Sequence, residues 1–293
     1  MLRFCLLAAI LAVPTVTFAQ QTPAILTADE IMARVAMNQD RSEAERAHYV
    51  YVQHTRIASR KGKTVQCEET TDTRVTPGAD ASSRDLLTLD GRCLVKKQYE
   101  HYTRPHDGKD KHQDADADRD LVENMRKNLT AEKSKDGFHA GLFPLTAKAQ
   151  PNYTFTLKGR ERRNGRDTFH IAFTPKDKDD FGWRGDAWID TDAFQPVVVQ
   201  TAMAKNIPFA VRTLLGTSLP GLGFTITYAP QPDGVWFPAT FGSEFKLNVI
   251  FFFHRTIMIA AENRNFEKTH VDAHIVPDSV VEAPSSSPSE QID

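Results

Sequence analysis

The sequence predicts a mainly β fold of the α+β class: a large curved antiparallel sheet, or an unclosed β-barrel, with a helical lid. Alternating segments joined by short turn signals run along most of the chain, with almost no helical pattern between them. Helical patterning is confined to 27–44 and 94–129, the only available covers for so large a sheet.

The chain begins Met1-Leu2-Arg3, continues with an uncharged run at 4–16 rich in Leu, Ala, Ile and Val, and reaches Thr17-Phe18-Ala19. This is the order of a secretory signal peptide, with cleavage expected before Gln20. The apolar run is shorter than the ~20 residues that span a bilayer, and no second run of that length follows. No transmembrane span is expected, nor a lipid anchor, since position 20 is Gln and the early Cys5 lies inside the apolar run. The expected mature protein is therefore periplasmic or secreted, soluble and monomeric. Its organisation reads as a signal peptide at 1–19, a single β-rich domain at 20–276 with a charged insertion at about 96–135, and a Pro- and Ser-rich disordered tail at 277–293. A formal net charge of −2 offers no strong field for nucleic acid or anionic lipid, so no nucleic-acid partner is expected.

Thr27-Ala28-Asp29-Glu30 is a capping box, and Ile31, Met32, Val35 and Met37 follow at near-helical spacing, which predicts one helix fading between Asn38 and Arg46. From Tyr49 the pattern alternates. Arg60-Lys61-Gly62-Lys63 reads as a hairpin turn with a return strand over 64–75. Asp90-Gly91 reads as a tight turn. Short helices are expected at 94–101 and 118–129, with a solvated loop between them in which 106–120 has almost nothing to enter a core. The β-pattern resumes with Tyr153, Phe155 and Leu157, turns at Asn164-Gly165 and returns through Phe169, Ile171 and Phe173. Further strands are expected at 188–190, 196–203, 223–228, 235–245, 247–261 and 263–275.

Two cysteines follow the signal, Cys67 and Cys93. In an oxidising compartment an even pair is first read as a disulfide, the alternative being two buried thiols.

Val249-Ile250-Phe251-Phe252-Phe253 is apolar on both faces of a strand, so both faces must be covered. The stretch 207–224 mixes apolar residues with Gly and Pro. These are either ordinary core strands or the lining and lip of an apolar ligand cavity. On the second reading Phe209, Leu214, Phe224, Phe251 and Phe253 line it, offering a non-directional surface for acyl chains.

No HExxH, GxSxG or CxxC accompanies the histidines and serines, so no catalytic residues and no cofactor are expected, and the chain reads as a non-enzyme. The best metal candidate is the set His106, Asp107, Asp110, His112, Asp114, Asp116 and Asp118, in which Asp114-x-Asp116-x-Asp118 resembles the opening of a calcium loop, but Arg119 replaces the turn glycine and Met125 the closing Glu. A solvated loop with no metal is the simpler reading. Arg160, Arg162, Arg163 and Arg166 form a basic hairpin tip, either solvated or facing an anionic partner.

The segments Gly159-Arg160-Glu161-Arg162-Arg163-Asn164-Gly165-Arg166, Phe169-His170-Ile171-Ala172-Phe173-Thr174-Pro175, Ala187-Trp188-Ile189-Asp190-Thr191 and Pro196-Val197 together resemble the central block of LolA-type periplasmic proteins. That superfamily includes the outer-membrane lipoprotein carriers and the envelope-stress regulator RseB. The resemblance implies an unclosed antiparallel β-barrel around an apolar cavity, with helices as a lid, that binds acyl chains without catalysis. It implies as partners a lipid or the acyl chains of a lipoprotein, in a carrier or receptor, or else an envelope protein, in a stress-sensing module.

Overall fold

The computed structural model describes residues 26–78, 81–105, 115–131, 144–177, 182–203, 217–218, 222–249 and 253–269. The expected signal peptide, the tail at 277–293, and Phe209, Leu214 and Phe251 lie outside these residues.

Helix α1 (Ala28–Arg46) begins where the capping box predicts. The Thr27 hydroxyl accepts the Glu30 N–H at 3.2 Å, and the Glu30 carboxylate accepts the Thr27 N–H at 2.8 Å, so two backbone donors at the helix start find partners. Strands β1 (Tyr49–Lys61), β2 (Thr64–Thr76), β3 (Ser83–Val95) and β4 (Gln98–Tyr102) follow as successive antiparallel neighbours. Helix α2 (Ala115–Ala131) interrupts them. Then come β5 (Tyr153–Arg163), β6 (Arg166–Pro175), β7 (Trp183–Asp190), β8 (Pro196–Met203), the short β9 (Thr217–Ser218), β10 (Gly223–Pro230), β11 (Trp236–Val249) and β12 (Phe253–Lys268).

All join one antiparallel sheet in the order β4-β3-β2-β1-β12-β11-β10-β8-β7-β6-β5, with β9 beside β11. Among the described residues the path ends at β4 and β5 without joining them, giving an unclosed sheet with two α-helices rather than a closed barrel. The pairing of β1 with β12 is the long-range link: it sets the β1–β4 meander against the C-terminal strands.

Two separate apolar clusters form on the helix-bearing face. Ile31, Met32 and Val35 of α1 are almost wholly buried against Phe169, Ile171, Ala187, Val199, Phe224 and Ile226. Val122 of α2, with Leu121, Met125 and Leu129 beside it, packs against Ile57, the Cys67–Cys93 pair, Phe245, Leu247, Ile257 and Ile259.

Four expectations are corrected. Residues 94–101 are a hairpin, not a helix: Lys96 and Lys97 take φ of 47° and 73°, which gives the doubly left-handed turn that matches strand twist. Asp90-Gly91 is no turn but lies inside β3. A Cβ on Gly91 would stand 2.1 Å from the Tyr102 ring, so glycine here serves close approach. Three expected strands between 235 and 275 are two longer ones, β11 and β12, because Asn263 does not break the second strand but pairs with Gln53 of β1. Finally, the charged segment around 118–126 is not simply solvated, since Asp118, Glu123 and Arg126 are buried.

Candidate functional site

Cross-strand registers align one residue from each of ten strands into a row over the helix-bearing face: Leu89, Thr71, Thr55, Ala261, Phe241, Ile226, Val199, Ala187, Ile171 and Leu157. From Ile226 to Ile171 this row is sealed in the cluster under α1. One step along the strands from Thr55 and Thr71, the pair Ile57 and Glu69 lies under α2. Between the helices the row passes through Phe241, Ala261, Thr55 and Thr71. Phe241 is only partly buried and touches both clusters, so it forms the saddle between them. This is the candidate ligand furrow.

Its walls differ. On the α1 side Phe224 stacks on Phe241, with ring centroids 5.6 Å apart, and meets Trp183 edge-on at 4.8 Å. On the α2 side a set of buried ion pairs adds to the apolar cluster. Arg255 of β12 forks onto Asp118, with Nε to Oδ1 at 2.7 Å and Nη2 to Oδ2 at 2.6 Å, and Ser59 donates to the same carboxylate at 2.5 Å. Arg126 Nε donates to Glu69 at 2.6 Å, and the Tyr102 hydroxyl donates to the other Glu69 oxygen at 3.2 Å. Burial pushes the Glu69 carboxyl above its ordinary range despite the Arg126 charge. Burial, with Glu69 nearby, likewise drives the Tyr102 phenol upward.

Cys67 and Cys93 face each other directly across β2 and β3 and are bonded, with Cα atoms 4.0 Å apart, beneath α2. Of the five expected lining residues, Phe224 lies in the α1 cluster, and Phe253 packs against the α2 cluster with the Arg255 guanidinium 4.2 Å over its ring. Phe209, Leu214 and Phe251 are outside the described residues, as is the 106–114 part of the possible calcium loop. Asp118, counted with that loop, is committed to Arg255 and Ser59. Among the described residues no group of three or more His, Cys, Asp or Glu is placed to hold a metal ion. Phe241 and the threonines were missed because neither lies in an apolar run. The available signal was the alternation of Thr71 and Thr73 in β2, while Thr55 is the lone threonine of β1.

The basic hairpin tip is largely committed to the fold. Arg160 lies over Phe169, Arg163 over Trp188 and Arg166 over Trp236, at 4.6, 4.5 and 4.8 Å, and Arg166 also pairs with Asp190 at 2.8 Å. A separate cleft of about 500 Å³ opens beside the C-terminal half of α1. It is polar and charge-balanced, with Arg41 and Lys268 against Glu45 and Asp233, and is thus unsuited to acyl chains. Among the described residues no helix is long and apolar enough to cross a membrane.

Residues 115–206 match the family model of the MucB/RseB N-terminal domain. The curated proteins give no match. Among solved structures, a DUF1329 family protein from Desulfovibrio piger aligns at 11% identity over 85% of this chain and 95% of its own, with a TM-score of 0.39. A LolA superfamily protein from Nitrosomonas europaea aligns at 11% over 84% and 94%, TM-score 0.36. The Pseudomonas aeruginosa MucA/MucB complex aligns at 11% over 80% and 99%, TM-score 0.22. The matched segment runs from α2 through β8 and contains the block at 159–197 that resembles LolA-type proteins. Over that segment, set in an unclosed antiparallel sheet with its two helices, the chain is similar to the MucB/RseB N-terminal domain.

Proposed function

We propose that the protein is a non-catalytic periplasmic carrier or receptor for a lipid or a lipidated protein, taking acyl chains into the furrow between α1 and α2. The observation that carries this reading is Phe241, a large ring left partly open and packed against both clusters. Phe224 and Phe253 would flank the chains, and Phe209, Leu214 and Phe251 would complete the lining. Removal of ligand apolar area from water would supply affinity at about 25 cal/mol per Å². Helix α2, whose attachment includes the ion pairs Arg126–Glu69 and Arg255–Asp118, would be the element that opens. The buried carboxylates on α2 and beneath it, Asp118, Glu123 and Glu69, are engaged with arginines, as suits a strap rather than a reaction centre.

Native mass spectrometry of gently purified protein, with lipid extraction, tests this. Bound lipid is the expected result. The reading fails if no lipid co-purifies and a fluorescent fatty acid is not taken up.

The match to the MucB/RseB N-terminal domain favours a second reading, an envelope regulatory module that binds another protein. MucB itself has been solved in complex with MucA. On this reading an envelope protein would co-purify, and its capture would survive lipid stripping. Loss of every partner on stripping would leave the carrier reading alone.

A further inference from the structure

The furrow floor is not uniformly apolar. Thr55 and Thr71 are direct cross-strand partners, and Thr73, on the same face, pairs with Gln53 one step toward the strand ends. All three residues are buried, at 7%, 3% and 4% exposure. Buried hydroxyls elsewhere in the sheet and helices have protein partners. Ser59 donates to Asp118, Thr168 donates to the Glu161 carbonyl at 2.7 Å, and Ser42 accepts from Gln195 at 2.9 Å. Among the described residues the hydroxyls of Thr55, Thr71 and Thr73 have no such partner, and none of the three oxygens is sealed from open space. Hydroxyls in a fold interior ordinarily find a hydrogen bond, so a row of unmatched ones facing a furrow is a set of donors awaiting an acceptor.

The surroundings restrict that acceptor. On the β12 and β11 side the row continues through Ala261 and Phe241, which offer only apolar surface. Toward the strand ends Arg84 donates to Gln53 at 3.2 Å, Gln53 to Asn263 at 3.1 Å, and Asn263 to the Pro238 carbonyl at 2.9 Å, so these polar groups already serve one another. A ligand that fits has an apolar chain over Phe241 and Phe224, with a neutral acceptor a short distance away over Thr55 and Thr71. The row from Leu89 through Thr71, Thr55, Ala261 and Phe241 carries no charged side chain, so a bare carboxylate or phosphate there finds no counter-charge in it.

We propose that Thr55, Thr71 and Thr73 form a polar subsite donating hydrogen bonds to the carbonyl oxygens of an ester- or amide-linked acyl amphiphile. The furrow thereby selects such amphiphiles over plain hydrocarbon. This rests on the carrier reading and adds to it the residues that discriminate.

The test titrates full-length mature protein with a pyrene-labelled phosphatidylcholine, a dansyl-labelled tripalmitoyl lipopeptide and the hydrocarbon 1,6-diphenylhexatriene. In the near-isosteric variant Thr55→Val/Thr71→Val, the carbonyl-bearing probes should bind about tenfold more weakly while diphenylhexatriene is unchanged. Thr55→Ser/Thr71→Ser, which keeps the hydroxyls, should restore them. The single variant Thr71→Val should show the same selectivity to a smaller degree, and it decides the matter if the double variant loses its near-ultraviolet circular dichroism. The subsite is overturned if all probes weaken alike, if none changes, if serine behaves like valine, or if wild type takes up only the hydrocarbon. A wild type that binds none of the three overturns the carrier reading itself, and the subsite with it. With the predicted selectivity present, tighter binding of phosphatidylcholine points to free lipid as the source, and tighter binding of the lipopeptide to a lipidated protein.

Discussion

Arg255 grips Asp118 through two parallel hydrogen bonds, and this fork joins α2 to β12 across 137 positions of sequence. Both side chains are largely buried, at 11% and 5% exposure. Removing one charge of such a pair strands the other, at a cost of roughly 3–5 kcal/mol. Asp118→Asn is expected to lower the urea midpoint by a corresponding amount. Amide hydrogen exchange should also rise in 115–131 before it rises in β5–β8, which lie under α1. Simultaneous loss of protection in both regions would show that α2 has no separate anchorage.

Glu69 makes the same interface sensitive to pH. It is 1% exposed, and burial holds its carboxyl above the ordinary value of 4.5, outweighing Arg126, with Glu123 pushing the same way. A carboxyl raised on folding contributes stability that is complete below its unfolded value and is lost as pH rises through its folded one. Glu69→Gln should therefore gain on wild type as pH rises from 4.5, on top of a constant difference between a neutral Glu and a Gln beside Arg126. Asp72 and Asp190 act in the opposite sense. Burial alone would raise each, but hydrogen bonds and cations (His54 and Arg264 at Asp72, backbone N–H groups and Arg166 at Asp190) hold them below 3.8. Their contribution is lost at lower pH, so they do not mask the window. Urea unfolding of both proteins at a series of pH values measures the difference, and a pH-independent offset would refute the role given to Glu69.

The sheet was legible in the sequence because half-buried strands alternate and their turns are chemically distinct. The Thr27–Glu30 box, Gly62 and Asn164-Gly165 fall where the pattern places them. The hairpin at Lys96-Lys97 was not legible, since lysine rarely adopts positive φ and only the pairing of β3 with β4 holds it there. The site was harder to read for the same kind of reason. Aromatic runs point to apolar lining, and Phe224 and Phe253 do lie on the helix-bearing face. Phe241 stands alone among polar neighbours, however, and Thr55 and Thr71 are 16 positions apart until register sets them opposite each other. The buried ions of α2 misled because charge predicts solvent unless a partner distant in sequence is known, as Arg255 is to Asp118.

Gly91 supplies a steric test of the β3–β4 edge. The Tyr102 ring lies over it, with the Arg119 guanidinium 4.0 Å above the ring and the phenol bonded to Glu69. In Gly91→Ala the ring must move, disturbing both contacts, at roughly 1–3 kcal/mol. Combining it with Tyr102→Ala should cost less than the sum of the two single changes, because the clash disappears with the ring. Strict additivity in thermal or urea unfolding would show that the ring is not what excludes a side chain at position 91.

The disulfide links two neighbouring strands 26 positions apart, and closing a loop of that size contributes roughly 3 kcal/mol. Cys67→Ser/Cys93→Ser should lose about that much. The location of the bond allows a sharper test. Cys67 is wholly buried and Cys93 nearly so, on the face that α2 covers, with Val122 in the same cluster. A reductant can reach the sulfurs only when α2 lifts or the sheet unfolds. In native buffer the bond should therefore resist dithiothreitol, with thiol labelling appearing at the rate at which α2 opens. Asp118→Asn, which weakens the strap without touching either cysteine, should speed that labelling even where the sheet remains folded by circular dichroism. If wild type and Asp118→Asn are reduced at the same rate, α2 does not guard the bond, and its opening is not the motion that exposes this side of the furrow.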